Sequence, residues 1–359
     1  MSQKSMGQSL AIQVSLCAQL IMDINRLSKI LDFYEIPPVV SFSKVERGYI
    51  SHNYRVETRA GIYFLKQHSK KVFWQIDSIE KAESFFINGG IPVIKPLQTK
   101  TGELHIVVDE KCYVLYPFVE GISYERGNIP IQALESMGKM LADIHLLTKE
   151  GITDTYKEFP YYKLSAKEKI IDEIEQCLAV IQKIQDKTAF DILVLDSLTY
   201  KKEFIEKFDS TSYSFITEDR HLCHGDYHVE NIFFDQTNNI SYVFDLDMSG
   251  PAPRLYELFR SCMLSCFNHI YIEDRFKQAR ILIDSYYKKY PFTQKEFRDV
   301  LEAYYLNQIW SAWIEKSHYL EGSTRVDHIY KPCMDTIYYL RDHRDEFFNE
   351  LTKDLFLTN

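Results

Sequence analysis

The sequence has no block of charges of one sign. Its 42 Lys and Arg residues and 51 Asp and Glu residues are mixed along all 359 positions, and the net charge is -9. Proteins that bind nucleic acids usually carry a basic patch or a basic tail. The even mixture therefore argues against a nucleic-acid partner.

Cysteines are few and scattered. The seven cysteines lie at positions 17, 112, 177, 223, 262, 266 and 333. Only Cys262 and Cys266 are close together, at the spacing of one helical turn, and no second pair matches them. This distribution argues against a disulfide framework and predicts reduced thiols in a cytoplasmic protein.

Long hydrophobic runs are also missing. The most apolar N-terminal segment, SLAIQVSLCAQLIMDI, is interrupted by Gln13 and Gln19. The sequence predicts an amphipathic helix over residues 9 to about 33, and neither a signal peptide nor a membrane span. Repeats, low-complexity tracts and flexible linkers are absent too, so we expect two lobes packed together, in a monomer or homodimer without a membrane partner.

From about residue 40 the sequence predicts a small antiparallel sheet. The segments VSFSKVERGYI, NYRVETRAGIYFLKQ and ELHIVVDEKCYVLYPFV are rich in β-branched and aromatic residues and are separated by turn residues. Between the second and third segments, DSIEKAESFFINGG predicts a helix with Asp77 or Ser78 as its N-cap and Gly89-Gly90 at its end.

The second half of the chain is predicted to be mainly helical. Helical periodicity covers residues 131–147, about 162–187, 190–209 and most of 252–350. One interruption, within residues 222–246, has two short apolar segments around a QTNN turn, which predicts a β-hairpin.

The predicted fold class is therefore α+β. The N-lobe, residues 1–117, contains the small antiparallel sheet with one inserted helix. The larger C-lobe, residues 118–359, is mainly helical and carries the hairpin. Because the sheet precedes the helical region, the two element types are segregated along the chain, as in other α+β folds.

The segment HGDYHVEN concentrates polar side chains in eight positions, His224 to Asn231. On a strand, the side chains of His224, Asp226 and His228 would share one face. Three such ligands could bind a zinc ion. The first interpretation of this segment is therefore a zinc-dependent hydrolase.

The second interpretation is phosphoryl transfer from a nucleotide. That reaction needs an acid to receive a hydroxyl proton and oxygen ligands for magnesium. Asp226 fits the first role. Asn231, five residues later, and Asp245, which the hairpin returns beside it, fit the second. The spacing of Asp226 and Asn231 is that of the protein-kinase catalytic loop, and Asp245 stands where a metal-binding aspartate is expected.

The second interpretation also assigns residues upstream. Lys66 ends the strand segment GIYFLK and would neutralise the α- and β-phosphates, and Glu80 or Glu83 on the following helix would orient it. The segment ERGYISHN, with Gly48 and Ser51, would form the turn that covers the phosphates. The segment YVLYPFVEG would connect the lobes and offer its backbone to adenine.

Together these residues resemble the aminoglycoside phosphotransferase and choline kinase-like family of small-molecule kinases. The family's HGDxHxxN motif matches residues 224–231, and its hydrophobic-Asp-x-Asp strand end matches residues 244–247. The resemblance covers residues 40 to about 330. It implies a protein-kinase-like fold and an ATP-dependent kinase that phosphorylates a hydroxyl group of a small molecule.

The resemblance also implies the role of each residue. Asp226 would be the catalytic base, Asn231 and Asp245 the Mg²⁺ ligands, and Lys66 the phosphate-binding lysine. By position, the carbonyl of Pro117 and the amide of Val119 would meet the adenine. The nucleotide would be ATP, with GTP as an alternative, since backbone contacts suit either purine. The segment around Gly48 departs from the family because it lacks paired glycines.

Several alternatives stay open at this point. The acceptor would be an aminoglycoside, an amino alcohol, a sugar or an amino acid. Asp247 would be a second metal ligand or would cap the following turn. Besides the zinc hydrolase, a non-catalytic binding or coat protein with a kinase-like fold remains an alternative. The C-terminal aromatics, such as Tyr304, Tyr305 and Trp310, favour core packing over a cation-binding cage because of their helical spacing.

Overall fold

The structure, a computed structural model, describes residues 22–45, 51–68, 73, 75–149, 156–157, 163–209 and 220–356. These residues form two compact units. The first unit contains the described parts of residues 1–74 and 95–119. The second contains those of residues 75–94 and 120–359.

The first unit is built on a five-stranded antiparallel sheet in the order β1-β2-β3-β5-β4. Its strands are β1 (Val39–Val45), β2 (His52–Thr58), β3 (Gly61–Gln67), β4 (His105–Val108) and β5 (Lys111–Pro117). The predicted sheet is therefore confirmed. The turn between β4 and β5 has positive φ at Asp109 and Glu110, which suits a tight two-residue hairpin whose twist matches its strands.

One helix completes the core of the first unit. Helix α1 (Ile24–Leu31) begins after Asp23, whose side chain accepts a hydrogen bond from the Arg26 amide at 2.8 Å. Its buried side chains join one hydrophobic cluster with Val56 and Leu65 of the sheet. Helix α1 lies within the helix predicted over residues 9–33, and residues 1–21 lie outside the described residues.

The second unit is mainly helical, as predicted. Its helices are α2 (Ile76–Asn88), α3 (Ile131–Leu146), α4 (Lys167–Gln182), α5 (Ala189–Lys207), α6 (Arg254–Cys262), α7 (Glu273–Tyr287), α8 (Gln294–Ile309), α9 (Trp313–Tyr319) and α10 (Tyr330–Leu351). Within the described part of the chain, none of the helices combines the length and apolarity that a bilayer crossing requires. Tyr304, Tyr305 and Trp310 are buried, which confirms them as core residues.

Helix α2 corrects the predicted helix start. It begins at Ile76 after Gln75, which makes no side-chain capping bond, so the predicted N-caps at Asp77 and Ser78 are wrong. The Ser78 hydroxyl instead accepts a hydrogen bond from the Lys157 amide at 2.9 Å. The predicted end is confirmed, because Gly90 follows the helix with a φ of +83°. This helix groups with the second unit.

Helices α3 and α7 approach closely at Gly138. A Cβ at this position would overlap the carbonyl oxygen of Leu282 and crowd the side chain of Ser285. Gly138→Ala should therefore lower the free energy of unfolding by about 1–3 kcal/mol, although alanine is intrinsically the better helix former by about 1 kcal/mol. Urea unfolding of both proteins measures the change. A more stable variant would mean that the helices do not pack this closely.

Two nested strand pairs interrupt the helices. Strand β6 (Arg220–Cys223) pairs with β9 (Gly250–Pro253), and between them β7 (Ile232–Phe234) pairs with β8 (Ile240–Val243). The inner pair confirms the predicted hairpin. The outer pair was not predicted. Because the pairs are nested, residues 224–231 connect β6 to β7, and residues 244–249 connect β8 to β9. Both connections therefore join the same two strand pairs.

Candidate active site in the second unit

The HGDYH segment is not part of a strand. Strand β6 ends at Cys223, so His224, Asp226 and His228 do not lie on a strand, which was the condition for their sharing one face in the zinc interpretation. The physical reason is Gly225, which has a φ of +85°, a left-handed conformation that turns the chain out of the strand. A Cβ at Gly225 would also overlap the carbonyl oxygen of Met248. The turn therefore requires glycine.

His224 is fully buried beneath this turn. Its Nε2 lies 3.0 Å from the carbonyl oxygen of Phe244, and its Nδ1 lies 3.3 Å from the amide of Asp226. Burial lowers the pKa of His224 and so favours a neutral ring. Such a ring donates from Nε2 and accepts at Nδ1. Both ring nitrogens are therefore used within the protein.

Asp226 lies at the tip of the turn with its side chain 27% exposed. Its Oδ1 accepts a hydrogen bond from Nη1 of Arg260 at 2.6 Å. Its Oδ2 lies 3.4 Å from both Nε2 of His228 and Nδ2 of Asn231. Burial raises the pKa of Asp226, but the Arg260 guanidinium and His228 outweigh burial and hold that pKa well below its usual range. Asp226 is therefore a carboxylate.

Asn231 ends a short 3₁₀ helix, Val229–Asn231, that follows the turn. The side chain of His228 caps this helix by accepting from the Glu230 amide at 3.3 Å. Nδ2 of Asn231 donates to the backbone carbonyl of Asp226 at 2.9 Å. This bond orients the amide, whose Oδ1 is the atom that can bind a cation.

Asp245 follows the inner hairpin. The amide of Phe244 donates to the carbonyl of Asn231 at 3.1 Å, so the hairpin brings Asp245 beside Asn231, as the sequence predicted. Asp245 has φ +66° and ψ +60°, a left-handed conformation that, besides glycine, is adopted mainly by asparagine and aspartate. Asp226, Asn231 and Asp245 thus lie together in one unit.

A buried acid that the sequence did not single out holds the turn in place. The carboxylate of Glu257, on α6, accepts hydrogen bonds from the amide of His224 at 3.1 Å and from the amide of Gly225. It also accepts from Nε2 of His145 at 2.9 Å. In the sequence, Glu257 was marked only as an acid on the apolar face of a predicted helix.

A hydrogen-bonded chain extends from Glu257 into the core. Nδ1 of His145 lies 2.9 Å from the hydroxyl of Tyr286, which accepts from Arg254 at 3.2 Å. Burial lowers the pKa of His145. Burial raises the pKa of Glu257, but the hydrogen bonds from His145 and the Gly225 amide bring it below its ordinary value. A neutral imidazole and an ionised carboxylate fit this geometry.

The alternative zinc site is not formed. Among the residues that the structure describes, the group of metal-binding side chains with clustered ligand atoms is His145, Cys223 and Glu257. The ring of His145 and the carboxylate of Glu257 are hydrogen-bonded to each other and fully buried. The structure therefore favours a hydrogen-bonded core over a metal centre there, and it does not gather His224 and His228 around a common ligand position.

The predicted nucleotide-binding residues of the first unit lie along its sheet. Lys66 is buried near the end of β3, opposite Asn53 of β2. Ser51 is buried just before β2. Pro117 ends β5, and Val119 is half-buried two residues later. Their roles stay predictions.

Three other predicted residues remain to be placed. Gly48 lies outside the described residues. Glu80 and Glu83 lie on α2 in the second unit, where Glu83 is buried and Glu80 is half-buried. The pairing of either acid with Lys66 stays a prediction.

Two comparisons relate the chain to known sequences. Residues 41–295 match the sequence profile of the Phosphotransferase enzyme family. A homoserine kinase from Parvibaculum lavamentivorans is 28% identical over 129 residues, which cover 34% of this chain and 38% of that protein. The chain thus aligns with little more than a third of that relative's length.

Solved structures are similar over most of the chain. An amicoumacin kinase in complex with AMP-PNP and Ca²⁺ is 14% identical, with a TM-score of 0.58 over 89% of this chain and 92% of the other. An aminoglycoside phosphotransferase from Alicyclobacillus acidocaldarius is 14% identical, with a TM-score of 0.56 over 91% and 95%. These likenesses confirm the predicted α+β, kinase-like fold.

Proposed function

Because this chain belongs to the Phosphotransferase enzyme family, as its motifs predict, we propose that it transfers a phosphoryl group from ATP to a hydroxyl group of a small molecule. The observation that carries the proposal is the grouping of Asp226, Asn231 and Asp245 around one turn and one hairpin. The reaction needs a carboxylate for the acceptor and oxygen ligands for a cation. The second unit would supply both.

Asp226 would act on the acceptor. Its side chain is partly exposed and ionised, so it can accept a hydrogen bond from the attacking hydroxyl. Since its pKa is low, Asp226 is a weak base, and the proton would move late, when the bond to phosphorus is largely formed. Its main contribution would be the orientation of the hydroxyl oxygen toward the phosphoryl group.

Asn231 and Asp245 would hold Mg²⁺. The donor set fits this ion, because the amide Oδ1 of Asn231 and the carboxylate of Asp245 are the oxygen ligands that a hard cation prefers. Asp247 is buried two residues later, where it would add a ligand or cap the turn. When bound, Mg²⁺ would neutralise charge on the nucleotide phosphates.

The nucleotide would be held by residues of the first unit. Lys66 would neutralise phosphate charge, and Ser51 and Gly48 would belong to the phosphate-covering turn. Pro117 and Val119 would offer a carbonyl and an amide to the purine. Backbone contacts of this kind suit ATP and leave GTP as an alternative.

The acceptor would bind to helices of the second unit, within about residues 155–210 and 255–340. Aminoglycosides, amino alcohols, sugars and amino acids all offer a hydroxyl group. The similarity to a homoserine kinase over 129 residues supports including hydroxylated amino acids among the acceptors to be tested.

The proposal is tested by ADP release across a panel of these four acceptor classes, with ATP or GTP and Mg²⁺. Turnover that depends on one acceptor, on nucleotide and on Mg²⁺ is the expected result. Nucleotide binding without turnover on any acceptor would instead indicate a non-catalytic binding protein. Stoichiometric, tightly bound zinc would revive the hydrolase interpretation.

Replacing Lys66 tests the nucleotide site. ATP with Mg²⁺ should raise the melting temperature of the wild-type protein, since a ligand that binds only the native state stabilises it. Lys66→Ala should weaken ATP binding by about 10- to 100-fold, because a hydrogen bond to a charged phosphate is lost. Thermal shift across an ATP titration measures both effects.

The exposed Lys29 of α1 offers a matched control in the same unit. Lys29→Ala should leave the ATP-dependent shift unchanged. If Lys66→Ala shows the same shift as the wild type, Lys66 does not belong to the nucleotide site.

A further inference from the structure

We propose that Arg260 is a positioning residue, which fixes the orientation of the Asp226 carboxylate toward the acceptor hydroxyl. The inference rests on the proposed function, since it concerns the carboxylate that receives the acceptor. Arg260 lies on α6, outside the motifs that identify the turn and the hairpin.

Arg260 links the side chain of Asp226 to the peptide group that precedes this residue. Nη1 of Arg260 donates to Oδ1 of Asp226 at 2.6 Å and to the carbonyl oxygen of Gly225 at 3.0 Å. One guanidinium nitrogen thus bridges the carboxylate and the preceding peptide group. The bridge restricts both the direction of the side chain and the rotation of the carboxylate, which is otherwise soft.

Arg260 lies on the same helix as Glu257, which also contacts the turn. Glu257 precedes it by three residues on α6, so the two side chains lie on the same helix face. Glu257 accepts from the amides of His224 and Gly225, while Arg260 donates to the carbonyl of Gly225 and the carboxylate of Asp226. Four hydrogen bonds from one helix therefore fix the turn and its functional group.

The other contacts of Asp226 are longer. His228 and Asn231 lie 3.4 Å from Oδ2, beyond the usual hydrogen-bond distance for these atoms. The 2.6 Å contact with Arg260 is therefore the main restraint on the carboxylate. Loss of that restraint would let the carboxylate rotate away from the productive geometry, and small misplacements of a reacting group slow catalysis strongly.

Partial exposure leaves the pair accessible to an acceptor. The side chains of Arg260 and Asp226 are each 27% exposed, so the carboxylate that Arg260 holds remains open to solvent. Arg254, six residues earlier on the same helix, shows the contrast. It is buried, and its guanidinium lies 3.8 Å from the ring centroid of Tyr290, as suits a core residue.

The matched control is Arg344, a second partly exposed arginine of this unit. Its side chain is 30% exposed and pairs with Glu302 at 3.2 Å. Arg344→Ala removes a comparable ion pair without touching the turn, so its turnover should equal that of the wild type.

Turnover of Arg260→Ala is the first measurement. We expect kcat to fall by about 10- to 100-fold, the effect of one hydrogen bond to a charged group, with KM and nucleotide Kd nearly unchanged. Arg260→Lys should recover part of the loss, because its ammonium group can donate to Asp226. Added guanidinium at millimolar concentration should raise the turnover of Arg260→Ala and leave Arg344→Ala unchanged. A wild-type kcat in Arg260→Ala would overturn the proposal, as would a loss that neither Lys nor guanidinium reduces.

Hydrogen exchange provides a readout that does not depend on turnover. Amides of residues 224–231 should exchange faster in Arg260→Ala than in the wild type or in Arg344→Ala, since the turn loses two hydrogen bonds. Unchanged exchange would overturn the positioning role. If the wild type turns over no acceptor, the proposed function fails, whereas the exchange result still decides whether Arg260 orders the turn. If Arg260→Ala does not fold, Arg260→Lys carries both measurements, with a smaller effect expected in each.

Discussion

Asp226→Asn should reduce acceptor turnover by at least about 100-fold, because the carboxylate that orients the acceptor hydroxyl and receives its proton is lost, while nucleotide affinity barely changes. Asparagine keeps the size of the side chain, and its Oδ1 can still accept the hydrogen bond from Arg260. It cannot accept a proton from the acceptor hydroxyl. Steady-state kinetics at saturating nucleotide and calorimetric nucleotide binding measure the two quantities separately.

Asp345 is a suitable control for this substitution. It lies on α10 in the same unit, outside the residue ranges proposed for the acceptor, and its side chain is 87% exposed. Asp345→Asn removes the same charge without touching the turn, so turnover should stay at the wild-type level. Near-normal turnover of Asp226→Asn with a good acceptor would mean that Asp226 is not the carboxylate that acts on the hydroxyl group.

Asp245→Asn should have a different effect on turnover. Asparagine tolerates the left-handed conformation of this position, so the backbone is preserved while a negative oxygen ligand is lost. The Mg²⁺ concentration required for half-maximal turnover should rise by at least about 10-fold, the size of effect seen when metal-site groups are removed. Nucleotide binding should weaken with it. Turnover measured across a Mg²⁺ titration tests this result.

The two substitutions together separate the two roles. Asp226→Asn should lower turnover at saturating nucleotide, whereas Asp245→Asn should also weaken nucleotide binding. If both variants lost nucleotide binding equally, the assignment of one aspartate to the acceptor and the other to the cation would be wrong.

The elements with a strong local pattern were predictable from the sequence. The strands of the first unit have β-branched and aromatic residues between clear turns, and the inner hairpin has two apolar segments around a polar turn. The grouping of Asn231 with Asp245 follows directly, because a hairpin returns its second strand beside its first.

The contacts made by α6 were not predictable in this way. Glu257 and Arg260 reach the turn because β9 pairs with β6 and places the start of α6 beside residues 224–226. That pairing joins segments about thirty residues apart and has no local signal, since both strands are only four residues long. The amphipathic pattern of α6 indicates a buried face but does not show which polar groups the face contacts.

The predicted start of α2 was wrong for a related reason. Ser78 is a good capping residue, but its hydroxyl accepts a hydrogen bond from the amide of Lys157. Burial of Ile76 and Ile79 instead extends the helix toward Gln75. Tertiary contacts therefore overrode the local capping preference.

Analysis of the acceptor after the reaction tests the central claim most directly. An acceptor that supports ADP release should be incubated with ATP, Mg²⁺ and either the wild-type protein or Asp226→Asn, and then examined by mass spectrometry and phosphorus NMR. We predict that the wild type adds one phosphoryl group to a hydroxyl of the acceptor, whereas Asp226→Asn leaves nearly all of the acceptor unmodified. ADP formed with free phosphate and an unmodified acceptor, or equal product from both proteins, would contradict the account.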